Sequence, residues 1–229
     1  MTFFRVARNA VPIEKTLLAA VCATLACLTL FTLWPGLDLA VARNFFDAGQ
    51  FIGRTRTGEI FRVVFYYAPY AILALLLVAA AARRLGVTRT GPDGRAILFL
   101  VASLALGPGL LVNGVLKENS HRPRPEQTVE FGGPWRFRPF EKFDGECRRN
   151  CSFVSGEVAT SAWTLAPALL APPPLRALAV GAALAFTAAT GVLRMSFGGH
   201  YLSDVLLAAL FTFLIVLGLY RWYSGRPKH

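Results

Sequence analysis

Residues 191–204 read Gly191-Val-Leu-Arg194-Met-Ser-Phe-Gly198-Gly199-His200-Tyr-Leu-Ser-Asp204, and the fold turns on this stretch. It ends one apolar run, breaks at Gly198-Gly199 and begins another. An Arg, a His and an Asp therefore sit where two membrane helices would meet. His200 and Asp204 are four apart, so on a helix beginning near His200 they share a face. Arg194 lies upstream, across the glycine break. At such a junction these side chains face water, whereas in mid-helix they would be buried in lipid at a cost of several kcal/mol.

Outward from this junction, 55% of the 229 residues are apolar, too many for an ordinary water-soluble domain. Six uncharged stretches run roughly over 16–37, 63–82, 96–116, 158–175, 177–193 and 205–220. A membrane-crossing helix needs about 17–25 residues, and the last three stretches reach that by extending back to about 153, 176 and 200. The prediction is an all-α, polytopic membrane protein: one domain over residues 1–229 with six transmembrane helices. The first run follows Arg5, Arg8 and Lys15, as in a signal peptide. It is about twice the length of a signal-peptide core and ends at Trp34-Pro35-Gly36, so a retained helix is expected.

From Pro35 to Gly53, Leu37, Val41, Phe45, Ala48 and Ile52 recur at helical spacing, with Arg43, Asp47, Gln50 and Arg54 as a polar stripe. This predicts an amphipathic helix lying flat on the membrane interface. The connection 83–95 carries four arginines and one acidic residue, which fits a cytoplasmic loop. Six crossings then place both termini in the cytoplasm and the 191–204 junction on the outer face of an inner membrane. Gly107-Pro108-Gly109 should loosen the third span, and Pro172-Pro173-Pro174 leaves only a tight turn between the fourth and fifth.

The net charge of +11 is explained by Arg and Lys crowding the loops beside anionic head groups. No basic helix or interleaving of aromatic and basic residues outside the spans points to nucleic acid. Cys22 and Cys27 fall inside the first span as packing residues. Cys147 and Cys151 lie in the long loop 118–151. Two thiols without further ligands make a poor zinc site, and a short-loop disulfide in an oxidising compartment is the better reading.

With this topology three polar clusters share one membrane face: Lys117 to Pro125, Ser152 to Glu157, and Arg194/His200/Asp204. Converging Lys117, Arg124 and Arg194 suit a phosphate dianion and the charge on its equatorial oxygens during transfer. Ser155 and the backbone N–H groups at Ser155-Gly156 add an anion seat at a helix start. An imidazole with a carboxylate partner is an oriented nucleophile, and no metal or other cofactor is then required.

These residues resemble the type-2 phosphatidate phosphatases, the membrane branch of the superfamily that includes vanadium haloperoxidases. The family pattern K-x6-R-P is complete as Lys117-x6-Arg124-Pro125. The pattern S-R-x5-H-x3-D is present as Arg194-x5-His200-x3-Asp204, with Leu193 in place of the Ser. Pro-Ser-Gly-His becomes Val154-Ser155-Gly156-Glu157. The resemblance implies that His200 is a phosphorylated nucleophile and that Asp204 orients it. It also implies that Lys117, Arg124, Arg194, Ser155 and Gly156 hold the phosphoryl oxygens. Glu157 stands where the family uses a His to protonate the leaving group and activate water, so Glu157 is expected to act as base, with His121 a candidate auxiliary acid. Weak acid assistance favours a better leaving group: a polyprenyl diphosphate or a lipid A-like 1-phosphate over phosphatidate. The expected partners are a phosphorylated membrane lipid and the bilayer. The alternatives are a lipid phosphotransferase and a phospholipid-binding or transport protein without turnover.

Overall fold

The computed structural model describes residues 12–225. The basic tail with Arg5 and Arg8, and Arg226 and Lys228, lie outside them. The fold is all-α and membrane-embedded. Among the described residues five helices are long and apolar enough to cross a membrane: α1 (Ile13–Leu33), α3 (Arg56–Arg84), α4 (Gly94–Asn119), α7 (Pro173–Ser196) and α8 (Leu202–Gly225). Lipid-facing residues such as Leu75 and Val78 on α3 stay exposed, as apolar solvent requires no polar cover.

The fourth expected span differs. It is two short buried helices, α5 (Gly156–Ala162) and α6 (Leu165–Leu169), interrupted at Trp163-Thr164. Pro167 has no N–H to return to the carbonyl four residues back, which is that of Trp163. That carbonyl accepts from Ala166 instead. The Trp163 indole N–H bonds Leu100 O and Ser103 Oγ on α4. This pair therefore runs through the centre of the bundle, packed on α7 and α8.

The interfacial element is also shorter than expected. Helix α2 (Gly36–Arg43) stops at Asn44, and β1 (Phe46–Asp47) pairs antiparallel with β2 (Gln50–Phe51). The turn between them needs Gly49 at φ 81° and puts Ala48 at φ 47°, which ends the helical periodicity halfway along. Asp38, on α2, is buried.

Two apolar clusters hold the bundle. One gathers Phe31, Val112, Phe153, Val158 and Leu207 beneath the junction. The other gathers Phe99, Leu100, Trp163, Leu217 and Tyr220 towards the opposite end. There Arg95 donates to the Tyr223 carbonyl and Arg221 pairs with Glu14. That leaves the starts of α3, α5 and α8 and the ends of α4 and α7 at the junction end.

Candidate active site

Helix α4 reaches the junction by a widened path: Ala105–Leu116 is π-helical. Pro108 cannot donate to the α-helical ladder, and the Asn113 side-chain amide takes up the Pro108 carbonyl at 2.7 Å. Lys117 follows at once, half-buried. Its ammonium lies 3.5 Å from where a Cβ on Gly156 would stand, and Asn113 Oδ1 only 2.7 Å from it. Glycine at 156 thus admits both groups against the start of α5.

Arg124 and Arg194 line one open pocket of about 530 Å³ together with Arg54, Arg56, Arg62 and Gly199. Arg194 is buried, and its Nε has no hydrogen-bond acceptor. Gly199 lets the guanidinium lie close, since a Cβ there would fall 2.5 Å from Arg194 Nη2. Arg124 donates to the Asn150 carbonyl. Burial, with the neighbouring Arg62 charge, holds its guanidinium below its ordinary pKa.

His200 is buried just before α8, not on it. Its Nδ1 lies 2.7 Å from the Ser152 carbonyl. A carbonyl only accepts, so Nδ1 carries the proton and Nε2 keeps its lone pair. Burial, with Arg194 and Arg124 nearby, outweighs the Asp204 carboxylate and lowers the imidazole pKa to about 3. The ring is therefore held in its neutral form at ordinary pH.

Asp204 does not orient that ring directly: its Oδ2 is 3.9 Å from Nδ1, beyond hydrogen-bond reach. Oδ2 instead accepts from Ser152 Oγ at 2.5 Å and from the Tyr201 N–H at 2.9 Å. Oδ1 accepts from Arg122 at 2.6 Å. The carboxylate holds the segment whose carbonyl holds the imidazole.

Ser155 caps α5, its Oγ accepting from the Val158 N–H, while its own N–H donates to the Asp204 carbonyl. It is therefore committed to fixing α5 against α8. Glu157 accepts from Arg62 Nε and Nη2, both at 3.3 Å, and lies 3.5 Å from Arg194 Nε. His121 is not brought to this pocket. Its Nδ1 bonds the Cys147 carbonyl, and it lines a separate loop cavity with Trp135 and Asp144. Cys147 and Cys151 are disulfide-bonded. Among the described residues no group of three His, Cys, Asp or Glu is placed to hold a metal ion.

Sequence reading missed Asp38, Arg62, Arg122 and the carbonyl of Ser152. Arg62 falls just ahead of the apolar stretch 63–82, but α3 begins at Arg56 and carries it to the site, capped by Thr55 accepting from the Gly58 N–H. Arg122 offered one local signal, a second Arg inside the Lys117–Pro125 block.

At one end of a membrane bundle the chain gathers a buried histidine, His200, with three cations, Lys117, Arg124 and Arg194. Residues 96–228 match the PAP2 superfamily, and the chain belongs to that superfamily as a multi-pass membrane phosphatase. It is 34% identical to the lipid A 4'-phosphatase of Rhizobium leguminosarum over 210 residues, covering 85% of this chain and 90% of that one. The Rhizobium etli lipid A 4'-phosphatase is likewise 34% identical, covering 85% of this chain and 82% of its own length. That of Francisella tularensis subsp. novicida is 33% identical over 191 residues, covering 80% and 85%. No solved structure matches the chain.

Proposed function

We propose that the protein hydrolyses a phosphomonoester on a membrane lipid, a lipid A-type glycolipid first, through a phosphohistidine on His200. The observation that carries this reading is the neutral His200, its Nδ1 proton taken by the Ser152 carbonyl, beside the pocket that Arg124 and Arg194 line. The names of the three relatives favour lipid A as the substrate class. A polyprenyl diphosphate, with its better leaving group, is the second candidate, and phosphatidate ranks below both.

In this mechanism Lys117, Arg124 and Arg194 hold the phosphoryl oxygens, helped by the N–H groups at the start of α5. The Nε2 lone pair attacks phosphorus as the bond to the lipid oxygen breaks. The departing alkoxide takes a proton from water in the open pocket. Imidazolium character on the phosphorylated ring is supported by the nearby Asp204 carboxylate. Water then attacks the phosphohistidine, Glu157 accepts its proton, and the bond from phosphorus to Nε2 breaks to release phosphate and neutral His200. Glu157 suits the role of base by place, lying against Arg62 and Arg194, which line the pocket. No metal takes part in this scheme.

The whole chain acts as one domain, with α5–α6 counted as the fourth of six crossings. Both termini then lie in the cytoplasm and the site faces outward. The four arginines of 83–95 support that orientation. So does the disulfide of loop 118–151, which belongs to an oxidising compartment.

The test is a panel of lipid A, polyprenyl diphosphate and phosphatidate assayed in detergent with a chelator present. Phosphate release from lipid A, abolished in His200→Ala, is expected. Faster turnover of phosphatidate than of the other two would overturn the substrate order, and loss of activity in chelator would overturn the metal-free route. Phosphorylated acceptor lipid in place of free phosphate would assign a phosphotransferase.

A further inference from the structure

Beneath the reacting atoms lies a closed polar cluster of which the chemistry above uses only Asp204. Arg122 is fully buried. Its Nη2 donates to Asp38 Oδ2 at 2.7 Å and its Nη1 to Asp204 Oδ1 at 2.6 Å. Nη1 also reaches Ser203 Oγ at 2.8 Å, and Nε donates to the Arg138 carbonyl at 2.9 Å. The guanidinium carbon stands 4.4 Å from the centre of the Tyr201 ring. Asp38 in turn accepts from the Ser203 N–H at 2.8 Å and from Ser203 Oγ at 2.6 Å.

We propose that Asp38, on the interfacial helix α2, is a positioning residue for the phosphatase site, acting through Arg122 and Ser203 on Asp204. The proposal rests on the reading of His200 as nucleophile. Asp38 lies outside the residues 96–228 that match the superfamily, so an element ahead of that region completes the site.

Three considerations support it. The first is connectivity. Asp38 fixes Ser203 and Arg122, these fix Asp204, Asp204 fixes Ser152 Oγ, and the Ser152 carbonyl fixes His200 Nδ1. Apart from the covalent step from Ser203 to Asp204, each link is a hydrogen bond between buried groups, where an unpaired partner is costly.

The second is charge. Asp38 and Asp204 each receive three donors. A protonated carboxyl needs an acceptor for its hydrogen, so this geometry asks for two carboxylates. Burial pushes the Asp38 carboxyl pKa up, opposed by Arg122 and by the donors of Ser203. Burial alone would lower the Arg122 pKa, yet Asp204 and Asp38 together raise it above its ordinary value. Two carboxylates against one guanidinium leave the cluster with one net negative charge. Without Asp38, Arg122 would cancel Asp204, and the imidazole would lose its counter-charge as phosphoryl transfer makes it cationic.

The third is place. Arg122 sits two residues before Arg124 and Ser203 one before Asp204. Movement of the cluster therefore displaces residues on both sides of the phosphoryl group, and a shift of about 1 Å costs roughly 100-fold in rate.

The experiment compares full-length wild type, Asp38→Asn, Asp38→Glu, Ser203→Ala and His200→Ala in detergent, each checked for a monodisperse, folded state. Rates are taken per folded enzyme by single turnover on a radiolabelled lipid phosphomonoester. Asp38→Asn is expected to slow phosphorylation of His200 by at least about tenfold with KM changed less than about threefold, and to shift the ¹⁵N signal of His200 Nδ1. Asp38→Glu, which keeps the charge, should recover part of the loss. Folded Asp38→Asn with wild-type phosphorylation rate and unchanged imidazole signal would overturn the proposal, as would loss of stability alone. If Asp38→Asn does not fold, Ser203→Ala decides by the same two readouts. Full activity in His200→Ala would instead defeat the nucleophile reading, whatever Asp38 does.

Discussion

Replacing Glu157 by Gln isolates the second half of the reaction. Gln keeps the shape of the side chain and an oxygen that Arg62 can reach, but it cannot accept a proton from water. Losing a general base costs about 100- to 10,000-fold in the step it serves. The structural penalty is far smaller. Glu157 gives up charge assistance in two 3.3 Å contacts with Arg62, whose side chain is 39% exposed. Such a partly solvated pair is worth about 1 kcal/mol or less, about fivefold in rate. The two effects separate by more than an order of magnitude. Rapid-quench mixing with radiolabelled substrate should give Glu157→Gln a burst of phosphoprotein approaching one equivalent per enzyme. The burst should form within about tenfold of the wild-type rate, and slow phosphate release should follow. Slowed formation with no accumulated phosphoprotein would refute the assignment of Glu157 to dephosphorylation and make it a phosphate-binding or acid group.

His200 should appear by ¹⁵N NMR as the neutral, Nδ1-protonated ring at pH 5, since its folded pKa is about 3; an imidazolium there would contradict the tautomer. Because the unfolded chain protonates this His below about 6.5 and the native state does not, the unfolded state binds more protons in that window. Acid should therefore erode stability between pH 6.5 and 3 by at most about 1.4 kcal/mol per unit, a slope that His200→Gln removes in pH-dependent unfolding. Gly199→Ala would drive a Cβ to 2.5 Å from Arg194 Nη2. It should lower kcat/KM at least about tenfold with little change in thermal stability, and wild-type kinetics would show that Arg194 is not held there.

The membrane class and the charged residues that meet at the junction end were legible because their signals are local. Lys117 and Arg124 share one block, and Arg194, His200 and Asp204 share another, each within a dozen residues. What was illegible works through space. Arg62 meets Glu157 across 95 positions, Arg122 meets Asp38 across 84, and Ser152 Oγ meets Asp204 across 52. No periodicity announces such pairs. The spacing of His200 and Asp204 suggested a direct contact, yet the chain enters α8 only at Leu202, and a backbone carbonyl takes the imidazole proton. Backbone acceptors leave no trace in residue identity. Pro167 signalled the break in the fourth span, but a long apolar run conceals a proline that a buried helix pair accommodates.

The widened turns of Ala105–Leu116 set a phase as well as a length. An α-helix advances about 100° per residue and these wider turns somewhat less, so removing one residue along that stretch would swing the Lys117 ammonium away from Gly156 at the start of α5 and towards acyl chains, though the stretch stayed apolar. Hydrophobic length gets this helix across the bilayer; its angular register delivers the lysine.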